Sequence, residues 1–252
     1  MDFERRVAGI VEQTELLRAA ARGADPATRI AACPDWSLGQ LLNHVGAGHR
    51  YAEEIVRSGA PEPPSDEYLR NPGHAVRPGE WLTAGAAHLA ATLRTAGPGA
   101  VVWTPVPAGP PCAAFYARRF LHETAMHRAD VALALGQPFE LDAETAGDTM
   151  GEWLELGSLP VMFDYFPERR ALQGPGHTIH LAPTDHTASW TVDLTGELPA
   201  WQPGPVEHPA VTVEAPLTDL LLIVYGRTPA TTAKVTGDTD FLGRWLSLVS
   251  FG

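Results

Sequence analysis

Only two of the 252 residues are cysteines, Cys33 and Cys112, so neither a disulfide scaffold nor a cysteine-rich zinc site organises this chain, and a reducing, cytoplasmic setting is expected. Positive charge is scarce as well: 18 lysines and arginines against 30 acidic residues leave a formal net charge of −12. Such a surface repels phosphate backbones and anionic lipids, so no nucleic-acid or membrane partner is expected. No apolar run approaches the length of a membrane span. The first residues, Met1-Asp2-Phe3-Glu4-Arg5-Arg6, include acids and lead into no apolar h-region, unlike a signal peptide. Proline (23) and glycine (24) are plentiful and spread along the chain, which predicts frequent breaks between elements and no long disordered tail. At 44% hydrophobic residues there is ample core for one large domain or two small ones.

Residues 3–22 read as an amphipathic helix, with Phe3, Val7, Ile10, Val11 and Leu17 on one side and Gly23 as its stop. After Cys33-Pro34-Asp35-Trp36, Ser37 with Gln40 three positions on makes a capping-box start for a second helix. Leu38, Leu41, Leu42, Val45, Ala52 and Val56 form its apolar stripe. His49 lies near the centre of that stripe and His44 at its edge, so periodicity favours His49 as the buried histidine. Gly46 and Gly48 each cost about 1 kcal/mol relative to alanine in a helix. They make sense if another backbone or a bulky ligand comes close there.

Residues 61–78 are a proline-rich loop, and residues 80–95 a third helix carrying Trp81, Leu82, Ala86, Leu89 and Leu93. Val101-Val102-Trp103 can make a short strand before Pro105, Pro107, Pro110 and Pro111 forbid regularity. A fourth helix over residues 115–135 contains no proline or glycine. A further helix capped by Asp142 runs through Met150, Trp153 and Leu154. Near Gln173-Gly174-Pro175-Gly176 the texture changes to short alternating segments, at 178–181, 189–194 and 211–214. A short apolar helix (217–225), a strand (234–236) and a closing helix (241–249) follow. The expected organisation is an all-helical domain over 1–168 and a small α+β domain over 169–252.

The fourth helix holds the residues of most chemical interest. Tyr116, Phe120, Val131 and Ala134 gather on one stripe, and Glu123 and His127 fall in its middle at i,i+4 spacing. A carboxylate and an imidazole on a face that should be buried need compensation. Two readings stay open at this point. Glu123 can pair with Arg119 and His127 with Asp130 as an ion-pair network, or a metal ion can satisfy both. His122-Glu123 is not the start of an HExxH zinc motif, because Met126 stands where the second histidine belongs, and His122 and His127 lie about 140° apart around the helix. His177 and His180, three apart in a strand, face opposite ways and make a poor metal pair.

Cys33-Pro34-Asp35-Trp36-Ser37 followed by Leu41-Leu42-Asn43-His44-Val45 resembles the N-terminal signature of the mycothiol-dependent maleylpyruvate isomerase family. Arg119 to Asp130 resembles that family's second motif, Arg-x-x-x-Glu-x-x-x-His followed by Asp. Leu220 to Arg227, then Thr236-Gly237-Asp238 and Leu242, looks like its C-terminal domain. The resemblance covers nearly the whole chain. It implies a DinB-like four-helix bundle followed by a small α+β domain like a sterol carrier protein, with His44, Glu123 and His127 as metal ligands. It thereby selects His44 over His49.

Two histidines and a carboxylate suit Zn²⁺, though nickel or iron accepts the same set, and three protein ligands leave a position open for catalysis. The resemblance implies that a low-molecular-weight thiol, mycothiol or one like it, binds there as a thiolate and adds to a small electrophilic substrate, in an isomerase or a thiol S-transferase. Asp130 is placed to orient His127, and Arg119 to orient Glu123, unless Arg119 is an ordinary surface arginine. Arg227 can bind a substrate carboxylate, or simply stabilise the end of the helix before it. Cys33, between apolar neighbours, reads as a packed loop residue and not as a nucleophile. The proline-rich loops at 61–78 and 105–111 are expected to shape the substrate pocket. The rival functions are a non-catalytic protein holding an apolar ligand in its C-terminal domain, and a metal-dependent hydrolase using bound water. A monomer or homodimer fits either way.

Overall fold

The computed structural model describes residues 1–75, 77 and 79–250, so positions 76 and 78 of the expected proline-rich loop lie outside the described residues. The chain divides into two compact units, Met1–Phe139 and Glu140–Gly252.

The first unit is a four-helix bundle of α1 (Phe3–Ala20), α2 (Leu38–Ser58), α4 (Gly79–Ala96) and α5 (Ala113–Ala134), with a single turn, α3 (Glu67–Arg70), inside the proline-rich loop. Local chemistry starts and stops these helices. Asp2 caps α1 by accepting the Arg5 N–H at 2.8 Å. The capping box at Ser37 forms in full, with both reciprocal bonds to Gln40, and Gly59 ends α2 in the left-handed conformation at φ 59°. The expected stripes point inward: Val7, Ile10, Ile55, Leu89, Leu93, Tyr116 and Leu121 share one apolar cluster, and Leu17, Leu38, Leu41, Val45, Leu82 and Val131 another. The glycines of α2 have a packing reason. A Cβ on Gly46 would sit 2.2 Å from Trp81 Cζ3, and one on Gly48 would sit 3.0 Å from a Phe120 ring carbon. The bulky neighbours are this chain's own aromatic rings.

Residues 101–103 do not form the expected strand. One isolated bridge joins Val101 to Cys112, because the intervening prolines supply no run of N–H donors for a ladder.

The second unit begins earlier than the sequence texture suggests. Helix α6 (Ala143–Gly157), assigned above to the helical domain, lies in it with a one-turn helix, α7 (Met162–Tyr165), and a 3₁₀ segment, Pro167–Leu172. The apolar face of α6 finds its partners there: the Trp153 ring packs edge-on to Trp245 at 5.6 Å and tilted on Tyr225 at 6.4 Å. A five-stranded sheet follows, from β1 (Thr178–Pro183), β2 (Trp190–Asp193), β3 (Ala200–Pro203), β4 (Val211–Ala215) and β5 (Lys234–Gly237), in the order β3-β2-β1-β4-β5. Among the described residues only β1 and β4 pair in parallel. Helices α8 (Leu217–Val224) and α9 (Thr239–Val249) supply Leu220, Leu221, Ile223, Phe241 and Trp245 to its core. No helix among the described residues is long and apolar enough to cross a membrane.

Candidate metal centre

Two helices of the bundle bring three of the expected residues to one point. His44 comes from α2, and Glu123 and His127 from adjacent turns of α5; one ligand atom from each lies within 4.8 Å of the others. The Nε2 atoms of His44 and His127 approach Glu123 Oε1 at 3.3 and 3.2 Å. The imidazole rings stand nearly perpendicular, 5.1 Å between centroids.

Each histidine is held from behind. His44 Nδ1 donates to the Leu69 carbonyl at 2.9 Å, and its ring lies 4.6 Å from that of Trp36. His127 Nδ1 donates to Asp130 Oδ2 at 3.0 Å. Arg119 pairs with Glu123 through Nη2 and Oε2. Both ion pairs anticipated for α5 therefore exist, and they coexist with the convergent donor set. Asp130 and Arg119, the residues expected to orient His127 and Glu123, are each in contact with the partner named for it.

The two Nδ1 protons fix what the other nitrogens can do. A carbonyl and a carboxylate only accept, so each neutral ring carries its hydrogen on Nδ1 and presents a lone pair at Nε2. Two lone pairs then face a carboxylate oxygen. Three acceptors at this spacing require positive charge among them, either as protons or as a metal cation. Among the described residues, this is the arrangement into which a divalent ion fits most directly, and imidazole with carboxylate is a zinc-type donor set.

Electrostatics tell the same story without a metal. Burial pulls the His127 pKa down, but the bonds to Asp130 and Glu123 outweigh it and raise the value to about 9. Burial pushes the Glu123 carboxyl up, yet the Arg119 charge and the two imidazole contacts hold it well below the ordinary range. A proton is thus retained on His127 where a cation is wanted.

His49 is indeed fully buried, as periodicity predicts, and it is no part of this cluster. Its Nε2 contacts Thr124 Oγ1 at 2.9 Å, and burial followed by the neighbouring Arg50 charge lowers its pKa to about 3. His122 is also fully buried and outside the cluster. Cys33 is buried in the apolar cluster with Ile30, Leu38 and Leu41, as expected of a packed loop residue, with its Sγ within 4.8 Å of ligand atoms of His127 and Asp130. Arg227 lies in the second unit, just past α8, where Nη1 donates to the Tyr225 carbonyl at 2.7 Å. Sequence reasoning missed the Leu69 carbonyl, for which a backbone group in a loop leaves no signal.

Two family models match the chain: the mycothiol maleylpyruvate isomerase N-terminal domain over residues 7–132 and the C-terminal domain of the same family over residues 156–244. The chain belongs to the mycothiol maleylpyruvate isomerase family. Its fold is also that of a crystal structure of a mycothiol-dependent maleylpyruvate isomerase, with a TM-score of 0.58 at 14% identity over 95% of both chains. A histidine-to-alanine mutant of such an isomerase superposes with a TM-score of 0.59 at the same identity and coverage. No curated protein sequence matches.

Proposed function

We propose that this chain is a metal-dependent enzyme that uses a low-molecular-weight thiol, mycothiol or a close analogue, on a small electrophile, with cis–trans isomerisation as its reaction. In that reaction the thiol sulfur bonds to one carbon of an activated double bond. The resulting single bond rotates, and elimination of the thiol restores the double bond in the trans form. No electrons are gained or lost overall. The same first step serves an S-transferase, in which the sulfur stays attached.

The observation that carries this reading is the convergence of His44 Nε2, His127 Nε2 and Glu123 Oε1, each backed by its own partner, in a chain of this family. These three residues would hold the divalent ion, and Zn²⁺ suits them. When bound, such an ion lowers the pKa of a coordinating thiol from about 8.5, so that the thiolate is available near neutral pH. The chain's own residues do the rest. The Leu69 carbonyl and the Asp130 carboxylate hold the protons of both imidazoles on Nδ1, which keeps both Nε2 atoms available. Arg119 keeps Glu123 ionised and oriented. Arg227, after the α8 helix of the C-terminal motif, is assigned a carboxylate-binding role within the second unit, on the strength of the motif resemblance alone.

The rival reading, an apolar-ligand carrier, gains little from the second unit: the cavity lined by Trp153, Leu172, Val192 and Trp245 measures about 40 Å³, room for a water or two and not for a lipid. A hydrolase finds no specific support.

The test is metal content by mass spectrometry on untagged wild type and His127→Ala, followed by a spectrophotometric assay of maleylpyruvate isomerisation with and without mycothiol. About one metal per chain, lost in the variant, together with thiol-dependent turnover, is the expected result. Wild type that neither carries nor takes up zinc sinks the proposal.

A further inference from the structure

A cavity of the helical unit, about 420 Å³ in volume, lies behind the segment that holds the His44 ring. Leu69, whose carbonyl holds the His44 ring, is part of its wall, and so is Ala47, one turn after His44 on α2. Two guanidinium groups in that wall share a single indole. Arg50 Cζ lies 3.9 Å and Arg77 Cζ 4.7 Å from the Trp81 ring centroid. They are therefore separated by less than one Debye length, about 10 Å at 0.1 M salt, and repel each other.

Neither guanidinium has a carboxylate partner among the described residues. Arg50 donates Nη1 to the Gly46 carbonyl at 2.8 Å and Nη2 to the Trp81 carbonyl at 2.7 Å. Arg77 donates Nε to Tyr68 Oη at 3.1 Å and lies 5.5 Å from that ring. A guanidinium has five N–H donors, so both keep some in reserve. The one acid in the wall, Glu54, is already paired with Arg57. A purely structural role accounts for Arg50, whose two carbonyl bonds and stacking brace α2 against α4. It does not account for a second cation stacked on the same ring from an exposed segment, in a chain with a net charge of −12. Burial and then the Arg77 charge pull the Arg50 pKa below its usual value, as expected of a site short of negative charge.

We propose that Arg50 and Arg77, stacked on Trp81, form a binding subsite for the carboxylate of a small organic acid whose unsaturated or apolar body lies against Tyr68 and Trp81. Guanidinium groups suit this task because their planar N–H pairs match a carboxylate. The subsite adds substrate-binding residues to the reaction proposed above and rests on that reading only in calling the ligand a substrate. Binding itself needs neither metal nor turnover.

Isothermal titration of the full chain with maleate, a rigid unsaturated dicarboxylate, tests the subsite, with neutral maleamide as the control. The protein is used both zinc-loaded and after chelation. Arg77→Gln is the informative variant, because Arg77 is exposed and its loss spares the carbonyl bonds that Arg50 makes. Wild type should bind maleate in both metal states, more weakly as salt rises, and should ignore maleamide. Arg77→Gln should weaken binding by about tenfold or more, while His127→Ala changes it by less than about threefold. Equal binding by wild type and Arg77→Gln, equal binding of maleamide, or no binding up to about 10 mM overturns the proposal. Maleate binding that disappears with the metal or in His127→Ala also overturns it, since the anion then sits at the metal centre. If the isomerase reading fails but maleate binds as described, the subsite stands by itself.

Discussion

His127 and Asp130 are joined by a 3.0 Å hydrogen bond from Nδ1 to Oδ2, one turn apart on α5, and the Asp130 side chain is wholly shielded from solvent. This bond orients the ring. Asp130→Ala should therefore weaken zinc binding by about 10- to 100-fold, the usual effect of removing such a partner. A competition titration against a chromophoric chelator measures it. Unchanged affinity in a folded variant removes Asp130 from the site.

A zinc ion bound at this centre would displace the proton held on His127, so apparent zinc affinity should rise as pH rises from about 6.5 to about 9, by up to about tenfold per unit for each proton released. The metal-free protein should show the matching linkage. His127 has a raised folded pKa, so its stabilising contribution is complete below about 6.5 and is lost as pH climbs through about 9. Glu123, with a depressed pKa, contributes above the ordinary carboxyl range and loses that contribution as pH falls. Denaturant titrations of chelated wild type and His127→Gln between pH 7 and 9 check the first point: only wild type should weaken over that interval.

His49 has the opposite sign. The unfolded chain protonates near 6.5, whereas the folded one resists until about 3, so acid favours unfolding across that window. Its share of the slope is about 1.4 kcal/mol per pH unit, an order-of-magnitude figure. His49→Phe should flatten the stability profile between pH 6.5 and 4 relative to wild type. Parallel profiles contradict the assignment of a neutral, buried imidazole.

Gly46→Ala places a methyl group 2.2 Å from Trp81 Cζ3, well inside contact distance, and despite the better helix propensity of alanine it should cost about 1–3 kcal/mol. Gly48→Ala, at 3.0 Å from Phe120, should be milder. Gly147, in α6, has open space around its Cβ position, so Gly147→Ala should stabilise by about 0.4–1 kcal/mol. Thermal melts of the three variants give the ranking directly, and a stable Gly46→Ala would show that Trp81 yields easily.

What the sequence disclosed follows from how local each signal is. Ser37 and Gln40 mark the start of α2 because a capping box involves four consecutive residues, and Asp142 marks the start of α6 for the same reason. Placement of α6 was not legible: its apolar face fits a bundle as well as it fits Tyr225 and Trp245, and only three-dimensional packing decides. Strand β3 was invisible because Ala200-Trp201-Gln202-Pro203 is largely exposed and shows no alternation. Similarly, an apolar stripe reports burial, which singles out His49. A ligand with room beside it belongs at the edge of the stripe, where His44 stands, and only the motif resemblance pointed there.

His44 and Glu123 meet across 79 positions of chain. A cation gripping both would act as a removable cross-link, closing a loop that includes α4 and the segment carrying Leu69. It binds the assembled bundle and not the open chain, so free zinc at 1,000 times its dissociation constant would add about 4 kcal/mol to the unfolding free energy. Resistance to heat and to proteases would then track metal supply, and withdrawal of the ion would shorten the protein's lifetime as well as silence its chemistry.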